Sequence, residues 1–207
     1  MAEQYYTRDP QGASRPQECR VSWRGQTLTF LTDAGVFSRG ELDTGTRLLL
    51  DALPDDLAGS LLDVGCGWGA IGICLAKAYP GLRVTMADVN LRALALAEEN
   101  ARRCGAQVRC LESDGLAALA GERFDWIVTN PPIRAGKQVI YRIFAEAAAA
   151  LRPGGALFLV IRKQQGGDSA IRFLKEHFAA VEKLDRSGGF WVIRADAPSA
   201  PSGASCG

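Results

Sequence analysis

The sequence predicts an α/β fold: a three-layer, Rossmann-like sheet that is mostly parallel, with an antiparallel final strand and a small N-terminal β-hairpin. Three observations support this prediction. Short apolar segments alternate with helical segments from Leu61 onward, as in parallel sheets covered by helices. A glycine-rich turn over residues 65–72 joins the first of these strands to a helix. Near the C-terminus two short strands flank Ser187-Gly188-Gly189, which predicts an antiparallel pair.

We expect three parts: an arm and hairpin over residues 1–40, a main domain over residues 41–195, and a disordered tail over residues 196–207 that is rich in Ala, Pro, Ser and Gly. The hairpin is predicted from alternating residues on either side of Gly25-Gln26. A helix over residues 43–52 ends before Pro54, and Asn90 is predicted to cap a helix that ends at Gly105. The other predicted strands span residues 61–64, 83–88, 107–112, 124–129, 156–161, 181–184 and 190–193, and the other helices residues 71–79, 139–151 and 168–178.

Composition limits the classes of protein to consider. The chain has 207 residues, 47% of them hydrophobic, and a net charge of +1, so any contact with nucleic acid must come from a local basic patch. Its six cysteines form no CxxC pair, and with the single histidine, His177, they make no zinc-binding pattern. We therefore expect reduced thiols, no metal site, and a soluble cytoplasmic protein without a membrane segment.

The glycine-rich turn predicts a binding site for a small ligand. Glycines at alternate positions permit positive φ and let a ligand approach the backbone, while the following helix directs free N–H groups toward it. The spacing Gly67-x-Gly69-x-x-Gly72, with Asp88 downstream, also matches a dinucleotide site. However, Asp63 would set a like charge against a pyrophosphate. The pattern Asp63-x-Gly65-x-Gly67-x-Gly69 instead resembles the first motif of class I S-adenosylmethionine-dependent methyltransferases, in which the carboxylate meets the methionyl ammonium.

Polar residues at the ends of successive strands extend this interpretation. Asp63, Asp88, Asp114 and Asn130 each follow a predicted strand, and the carboxyl ends of parallel strands meet at one edge. Asp88 suits the ribose diol and Asp114 the exocyclic amine of adenine, with Val89 beside the ring. For each of them the alternative is a turn or capping role. Cys66, within the loop, and Asn130 are also predicted to bind the cofactor. Phe37 covers the cofactor or the target, or else packs in the core.

The segment Asn130-Pro131-Pro132 resembles the Asn-Pro-Pro-aromatic motif of methyltransferases that act on exocyclic amines or amides. The Asn130 side-chain oxygen and the Pro131 carbonyl can both accept hydrogen bonds from such a nitrogen and align its lone pair. We therefore predict that these three residues are catalytic. The sequence departs from the motif at Ile133, where an aromatic residue normally stacks on the target.

Basic residues follow the motif. Ile133, Arg134 and Lys137, together with Lys163 at the end of a later strand, are predicted to bind substrate, with the cations on phosphate. The alternative for such charges is an ordinary solvated face.

Four segments together resemble one family: residues 32–38, 63–69, 88–90 and 130–137. They are similar to small-domain class I methyltransferases like the catalytic half of the 16S ribosomal RNA guanine-N2 methyltransferases. The resemblance implies an S-adenosylmethionine-dependent methyltransferase domain acting on guanine N2 of small-subunit ribosomal RNA. Two alternatives remain open at this point: a protein glutamine N5-methyltransferase, and a non-catalytic module that binds S-adenosylmethionine or RNA.

Overall fold

A seven-stranded sheet with helices on both faces forms the centre of the protein, and a two-stranded hairpin packs beside it. The computed structural model describes residues 16–33 and 42–198. The strands are β1 Gln17–Trp23, β2 Gln26–Thr32, β3 Gly59–Val64, β4 Leu82–Asp88, β5 Val108–Glu112, β6 Phe124–Thr129, β7 Leu151–Arg162, β8 Ala180–Asp185 and β9 Phe190–Asp196. The α-helices are α1 Thr44–Asp51, α2 Ala70–Ala78, α3 Leu91–Cys104, α4 Lys137–Ala150 and α5 Gly167–His177, and 3₁₀ turns cover Ala117–Leu119, Ile133–Ala135 and Lys163–Gln165.

The order of strands in the sheet determines where a ligand can bind. The order is β5-β4-β3-β6-β7-β9-β8, in which β3 to β7 are parallel and β9 runs antiparallel to both of its neighbours. The chain fills one side of β3 first and then crosses to β6 on the other side. This crossover is the topological switch point, where α/β sheets open a crevice at the carboxyl ends of their strands. The predicted fold, including the antiparallel final strand and the hairpin, is confirmed.

Strand β7 separates two hydrophobic cores. Its residues 156–161 are all buried, and they alternate between the two faces of the sheet. Phe158 and Val160 join the core that contains α1, α2, α3 and the hairpin, whereas Leu159 and Ile161 join the core under α4 and α5. This two-sided burial explains why the segment lacks the polar alternation of a half-exposed strand.

Local signals set some boundaries well and others less well. Helix α3 has the predicted ends: Asn90 Oδ1 accepts from the N–H groups of Arg92 and Ala93, and Gly105 takes a left-handed φ of 61°. The hairpin turn is shifted by one residue from the predicted centre. It consists of Arg24 and Gly25, both with positive φ, as the two-residue turn of a tightly twisted hairpin requires.

The hairpin is fastened to the main sheet through a buried amide. Asn100 on α3 accepts from the N–H of Leu31 at 2.6 Å, and its Nδ2 donates to the carbonyls of Leu31 and Trp68. The Trp68 ring also meets Phe30 of β2 edge-on, with centroids 5.0 Å apart. One side chain therefore connects the hairpin to the glycine-rich turn.

No helix within the described residues is long and apolar enough to cross a membrane.

Candidate active site

The glycines of the turn after β3 have different structural tasks. Gly65 and Gly67 have φ values of 70° and 56°, and a Cβ on either would meet no atom within 4 Å. They therefore provide conformation and open space. Gly69 also has a positive φ, but a Cβ there would lie 2.8 Å from Ile73 Cδ1. At Gly72 it would lie 2.5 Å from the sulfur of Met86, so this glycine allows α2 to pack closely on β4.

Asp88, the last residue of β4, holds the turn in place. Its Oδ2 accepts from the N–H of Gly67 at 2.8 Å, and its Oδ1 accepts from the N–H of Asn90 at 2.8 Å. Burial raises the pKa of this carboxyl, and the backbone hydrogen bonds offset part of that effect. The carboxylate lies at the wall of the cavity described below.

Asp63 lies behind the turn and is fully buried. Its Oδ2 accepts from the N–H of Gly72 at 2.9 Å, while its Oδ1 has no hydrogen-bond partner among the described residues. Burial raises the pKa of Asp63 to about 7; the bond from Gly72 lowers it and the nearby Asp88 raises it. Asp63 does not line the cavity, so its contact with the methionyl ammonium stays a prediction.

A cavity of about 480 Å³ opens at the switch point, between the turn after β3 and the segment after β6. This volume lies within the usual range of small-molecule sites. Five chain segments and one residue of β9 line it: Leu42, Asp43, Thr44 and Thr46; Gly65 to Trp68, Ala70 and Ile71; Asp88, Asn90 and Ala93; Asn130 to Arg134; Val160 to Arg162 and Gln165; and Phe190.

Asn130 follows β6 directly, and its amide nitrogen is held within the protein. Its Nδ2 donates to Thr46 Oγ1 at 3.0 Å and lies 3.4 Å from each carboxylate oxygen of Asp43. Next to it, Thr129 Oγ1 donates to the carbonyl of Val64 at 2.8 Å. This bond ties the end of β6 to the end of β3, so the two predicted motifs lie side by side.

The cavity brings together many, but not all, of the predicted site residues. Those that line it are Gly65, Cys66, Gly67, Asp88, Asn130, Pro131, Pro132, Ile133 and Arg134. Burial raises the pKa of the Cys66 thiol, which disfavours a thiolate nucleophile there. Phe37 lies outside the described residues.

Five predicted residues besides Asp63 lie off the cavity wall: Gly69, Val89, Asp114, Lys137 and Lys163. Asp114 instead accepts from Arg142 Nη2 at 2.5 Å. The Lys137 ammonium lies 5.1 Å from the centre of the Tyr141 ring, and that of Lys163 lies 5.9 Å from the Trp191 ring. The ligand contacts assigned to these residues stay predictions.

Sequence reasoning missed Asp43, Thr46, Gln165 and Phe190, which all line the cavity. Asp43-x-x-Thr46 has the form of an ordinary helix cap, and it does cap α1: the Asp43 side chain accepts from the N–H of Thr46. Its position beside Asn130, 84 residues away from Thr46, depends on the fold. No local signal marks Phe190 as a site residue either.

The sequence model of the methyltransferase small domain family matches residues 27–194. This chain belongs to that family. The prediction of a class I S-adenosylmethionine-dependent methyltransferase, with S-adenosylmethionine as its cofactor, is confirmed. The residues present suit the cofactor: a carboxylate beside an open glycine backbone gives acceptors for hydroxyls, and Gly65 and Gly67 leave the space that side chains would fill.

Relatives in this family differ in length. The protein YbxB of Bacillus subtilis (strain 168), described as uncharacterized, is 41% identical over 198 residues, which are 94% of this chain and 98% of that protein. Ribosomal RNA small subunit methyltransferase C of Hahella chejuensis is 42% identical over 141 residues, 66% of this chain and 41% of that protein.

A solved structure shares the fold at higher coverage. It is the T. thermophilus 16S rRNA N2 G1207 methyltransferase (RsmC) in complex with AdoMet and guanosine, with a TM-score of 0.79 and 32% identity over 90% of this chain and 51% of that one. The chain thus spans about half the length, or less, of these ribosomal RNA methyltransferases.

Proposed function

We propose that this methyltransferase modifies an exocyclic amine of RNA, and that the amine is N2 of a guanine in small-subunit ribosomal RNA. The observation that carries the proposal is the position of Asn130, Pro131 and Pro132 in the wall of the cavity beside the glycine turn. Two relatives that match 80% and 90% of this chain are ribosomal RNA methyltransferases by name, and the solved complex of the second contains guanosine.

The chemistry of an exocyclic amine explains why these residues suit it. The nitrogen lone pair is delocalised into the base, so the amine is a weak nucleophile. Bound S-adenosylmethionine supplies an electrophilic methyl group on its sulfonium. Asn130 Oδ1 and the Pro131 carbonyl would accept the two N–H bonds of the amine and direct its lone pair along the line of displacement. As the nitrogen–methyl bond forms, the methyl–sulfur bond breaks and leaves a neutral thioether, and the methylated amine releases one proton to solvent.

The target base also needs a flat surface on which to stack. Ile133 occupies the position at which related motifs have an aromatic residue, so another side chain must provide this surface. Trp68 and Phe190 are the aromatic residues among the described cavity-lining residues. The guanidinium of Arg162 lies 4.3 Å from the centre of the Phe190 ring, and both side chains line the cavity. Planar guanidinium groups and aromatic rings both stack on bases. We assign the stacking role to this pair.

The proposed contact with RNA phosphates is made by four basic residues near the carboxyl ends of β6 and β7. Arg134 and Lys137 after β6, Arg162 at the end of β7 and Lys163 directly after it are all exposed. Because both segments follow the carboxyl ends of neighbouring strands, the four charges share one edge of the sheet. With a net charge of only +1 for the chain, this local patch would supply the attraction to RNA phosphates.

Product analysis tests the proposal. The purified protein is incubated with labelled S-adenosylmethionine and either small ribosomal subunits, naked 16S ribosomal RNA or a protein fraction, with Asn130→Ala as the inactive control. Label in N2-methylguanosine of RNA supports the proposal. Label in another nucleoside refutes the guanine N2 target but retains RNA as substrate. Label in protein glutamine would favour the glutamine methyltransferase, and no transfer to any fraction would favour a non-catalytic module.

A further inference from the structure

We propose that Asp43 and Thr46 are positioning residues that hold the Asn130 amide in the one orientation that presents its oxygen to the target amine. The inference rests on the proposed methylation of an exocyclic amine. An asparagine side chain has two nearly isosteric orientations that differ by exchange of its oxygen and nitrogen. Only the orientation with the oxygen toward the amine lets it accept the amine's hydrogen bond.

Among the described residues, the hydrogen bonds of the Asn130 side chain all involve one atom of its amide. The hydrogen bonds of the side chain run from Nδ2, to Thr46 Oγ1 at 3.0 Å and, at 3.4 Å, to the carboxylate of Asp43. Within residues 16–33 and 42–198, no donor bonds to Asn130 Oδ1. The nitrogen is thus occupied by the protein, whereas the oxygen is left for a donor in the cavity.

The hydroxyl hydrogen of Thr46 determines which of the two orientations the Asn130 amide adopts. Thr46 has a single hydroxyl hydrogen, and its Oγ1 makes a short hydrogen bond to Asp43 Oδ2. Since a carboxylate can only accept, this hydrogen points to Asp43 and a lone pair of Oγ1 faces Asn130. Turning the Asn130 amide over would set its oxygen against that lone pair and against the carboxylate. The Asn130 oxygen would then face two acceptors with no hydrogen between it and either of them, which is costly in a partly buried site.

The pair is itself fixed by helix α1. The Asp43 side chain accepts from the backbone N–H of Thr46 at 3.1 Å, and α1 is anchored in the core by the fully buried Leu49 and Leu50. Gly45 lies between Asp43 and Thr46 in the chain. A Cβ at this position would come within 3.1 Å of Asp43 Oδ1 and 2.9 Å of the Phe190 ring. The absence of this side chain lets the carboxylate, the ring and Asn130 come together. Thus α1 serves as a rigid support for a residue on β6.

Substitutions that preserve shape test this role. Thr46→Val removes the hydroxyl without changing the volume, and Asp43→Asn keeps the helix cap but offers an N–H₂ group with which a turned Asn130 could pair. We expect either change to lower kcat by about 10²-fold, the scale of a misplaced catalytic group. The KM for S-adenosylmethionine and the melting temperature should stay close to those of the wild type. Thr46→Ser keeps the hydroxyl and should retain most of the wild-type rate. The matched control is Thr27→Val on the hairpin, which removes an exposed hydroxyl bonded to Ser22.

A second readout separates this inference from the proposed function. In the wild type the Asn130 side-chain N–H₂ protons should exchange slowly with solvent, as seen by nuclear magnetic resonance, and they should exchange faster in Thr46→Val. An RNA-inactive wild type would refute the proposed function, whereas the exchange measurement would still test the orientation. Wild-type turnover in Thr46→Val, or a loss of rate that Thr46→Ser does not restore, would overturn the inference, as would unchanged exchange.

Discussion

The carboxylate of Asp88 accepts the backbone N–H of Gly67 at 2.8 Å, so the end of β4 fixes the turn that follows β3. The same side chain also accepts from the N–H of Asn90, the cap of α3. One buried carboxylate thus organises both the glycine turn and the start of the neighbouring helix. The predicted ribose contact would use acceptor capacity that remains on the two oxygens.

Asp88→Ala should weaken S-adenosylmethionine binding by about 1.5–3 kcal/mol, the range for hydrogen bonds to a charged group. Titration calorimetry measures the dissociation constant of S-adenosylmethionine for the variant and the wild type. Asp88→Asn is the matched control: it keeps one acceptor oxygen for the backbone, so it should retain more of the fold of the turn than Ala does. NAD should not bind to any of the three proteins. An unchanged dissociation constant in Asp88→Ala would remove this residue from the ribose role.

The buried Asp63 predicts a pH dependence of stability. Its pKa is raised in the folded state from the ordinary 3.8 to about 7, so the folded protein binds the proton more tightly than the unfolded chain does. The free energy of unfolding should therefore fall as the pH rises between these two values, by about 1.4 kcal/mol for each pH unit, and level off above them.

The variant Asp63→Asn isolates this effect, because an amide keeps the acceptor for Gly72 but does not ionise. Denaturant unfolding of both proteins from pH 4 to pH 8 gives the measurement. The difference in stability should shift in favour of the variant as the pH rises. Parallel curves for the two proteins would show that Asp63 does not titrate in this interval.

Phe190→Leu tests the stacking surface. Loss of the ring should reduce kcat/KM for RNA by about 5- to 150-fold, since stacking of a base on an aromatic side chain contributes about 1–3 kcal/mol. The dissociation constant of S-adenosylmethionine should not change, because the proposed contact is with the target base. Phe190→Tyr retains a ring and should stay close to the wild type. Equal kinetics for Phe190→Leu and the wild type would place the stacking elsewhere.

Arg134→Ala or Lys137→Ala should weaken RNA binding and reduce the slope of log affinity against log salt by about one unit for each phosphate that the substituted side chain no longer neutralises. Binding across a salt series measures this slope. Lys175→Ala, an exposed lysine in the last turn of α5, is the matched control and should leave the slope unchanged. A slope that is the same in Arg134→Ala, Lys137→Ala and the wild type would favour an ordinary solvated face.

The sequence predicts those features of the fold and site that depend on local or repeated signals. The ends of α3 follow from Asn90 and Gly105, and residues at the carboxyl ends of parallel strands, such as Asp88 and Asn130, meet because the sheet topology requires it. Contacts between distant segments have no such signal. The pairing of Asp114 with Arg142, and the bond between Asn130 and Thr46, depend on how α4 and α1 pack against the strand ends.

The same limit applies to which strand-end residues face the cavity. Asp63 and Asp88 both lie at the ends of neighbouring strands, yet only Asp88 reaches the cavity wall. Asp63 points back toward Gly72 and the core between β3 and α2. Sequence position alone predicts the edge of the sheet at which a residue lies, whereas the direction of its side chain depends on the pleat and on the packing of the following helix.

Asn130→Ala should separate catalysis from binding. The proposed bond from the target amine to Asn130 Oδ1 aligns the lone pair for methyl transfer, so its main contribution is to the transition state. Removing an interaction of that kind lowers the rate constant but leaves ground-state affinity nearly intact. We therefore expect single-turnover methylation to slow by several orders of magnitude while the RNA and S-adenosylmethionine dissociation constants stay close to the wild-type values.

Asn130→Asp is the informative companion to this change, because it keeps an acceptor oxygen but sets a second carboxylate against Asp43, which already lies 3.4 Å from the Asn130 nitrogen. Like charges at this distance should turn or displace the side chain, so this variant should also be slow. Single-turnover rates and equilibrium binding are measured for both variants, with Lys175→Ala as the surface control. If Asn130→Ala abolished RNA binding, or if Asn130→Asp turned over like the wild type, Asn130 would not act as the orienting acceptor.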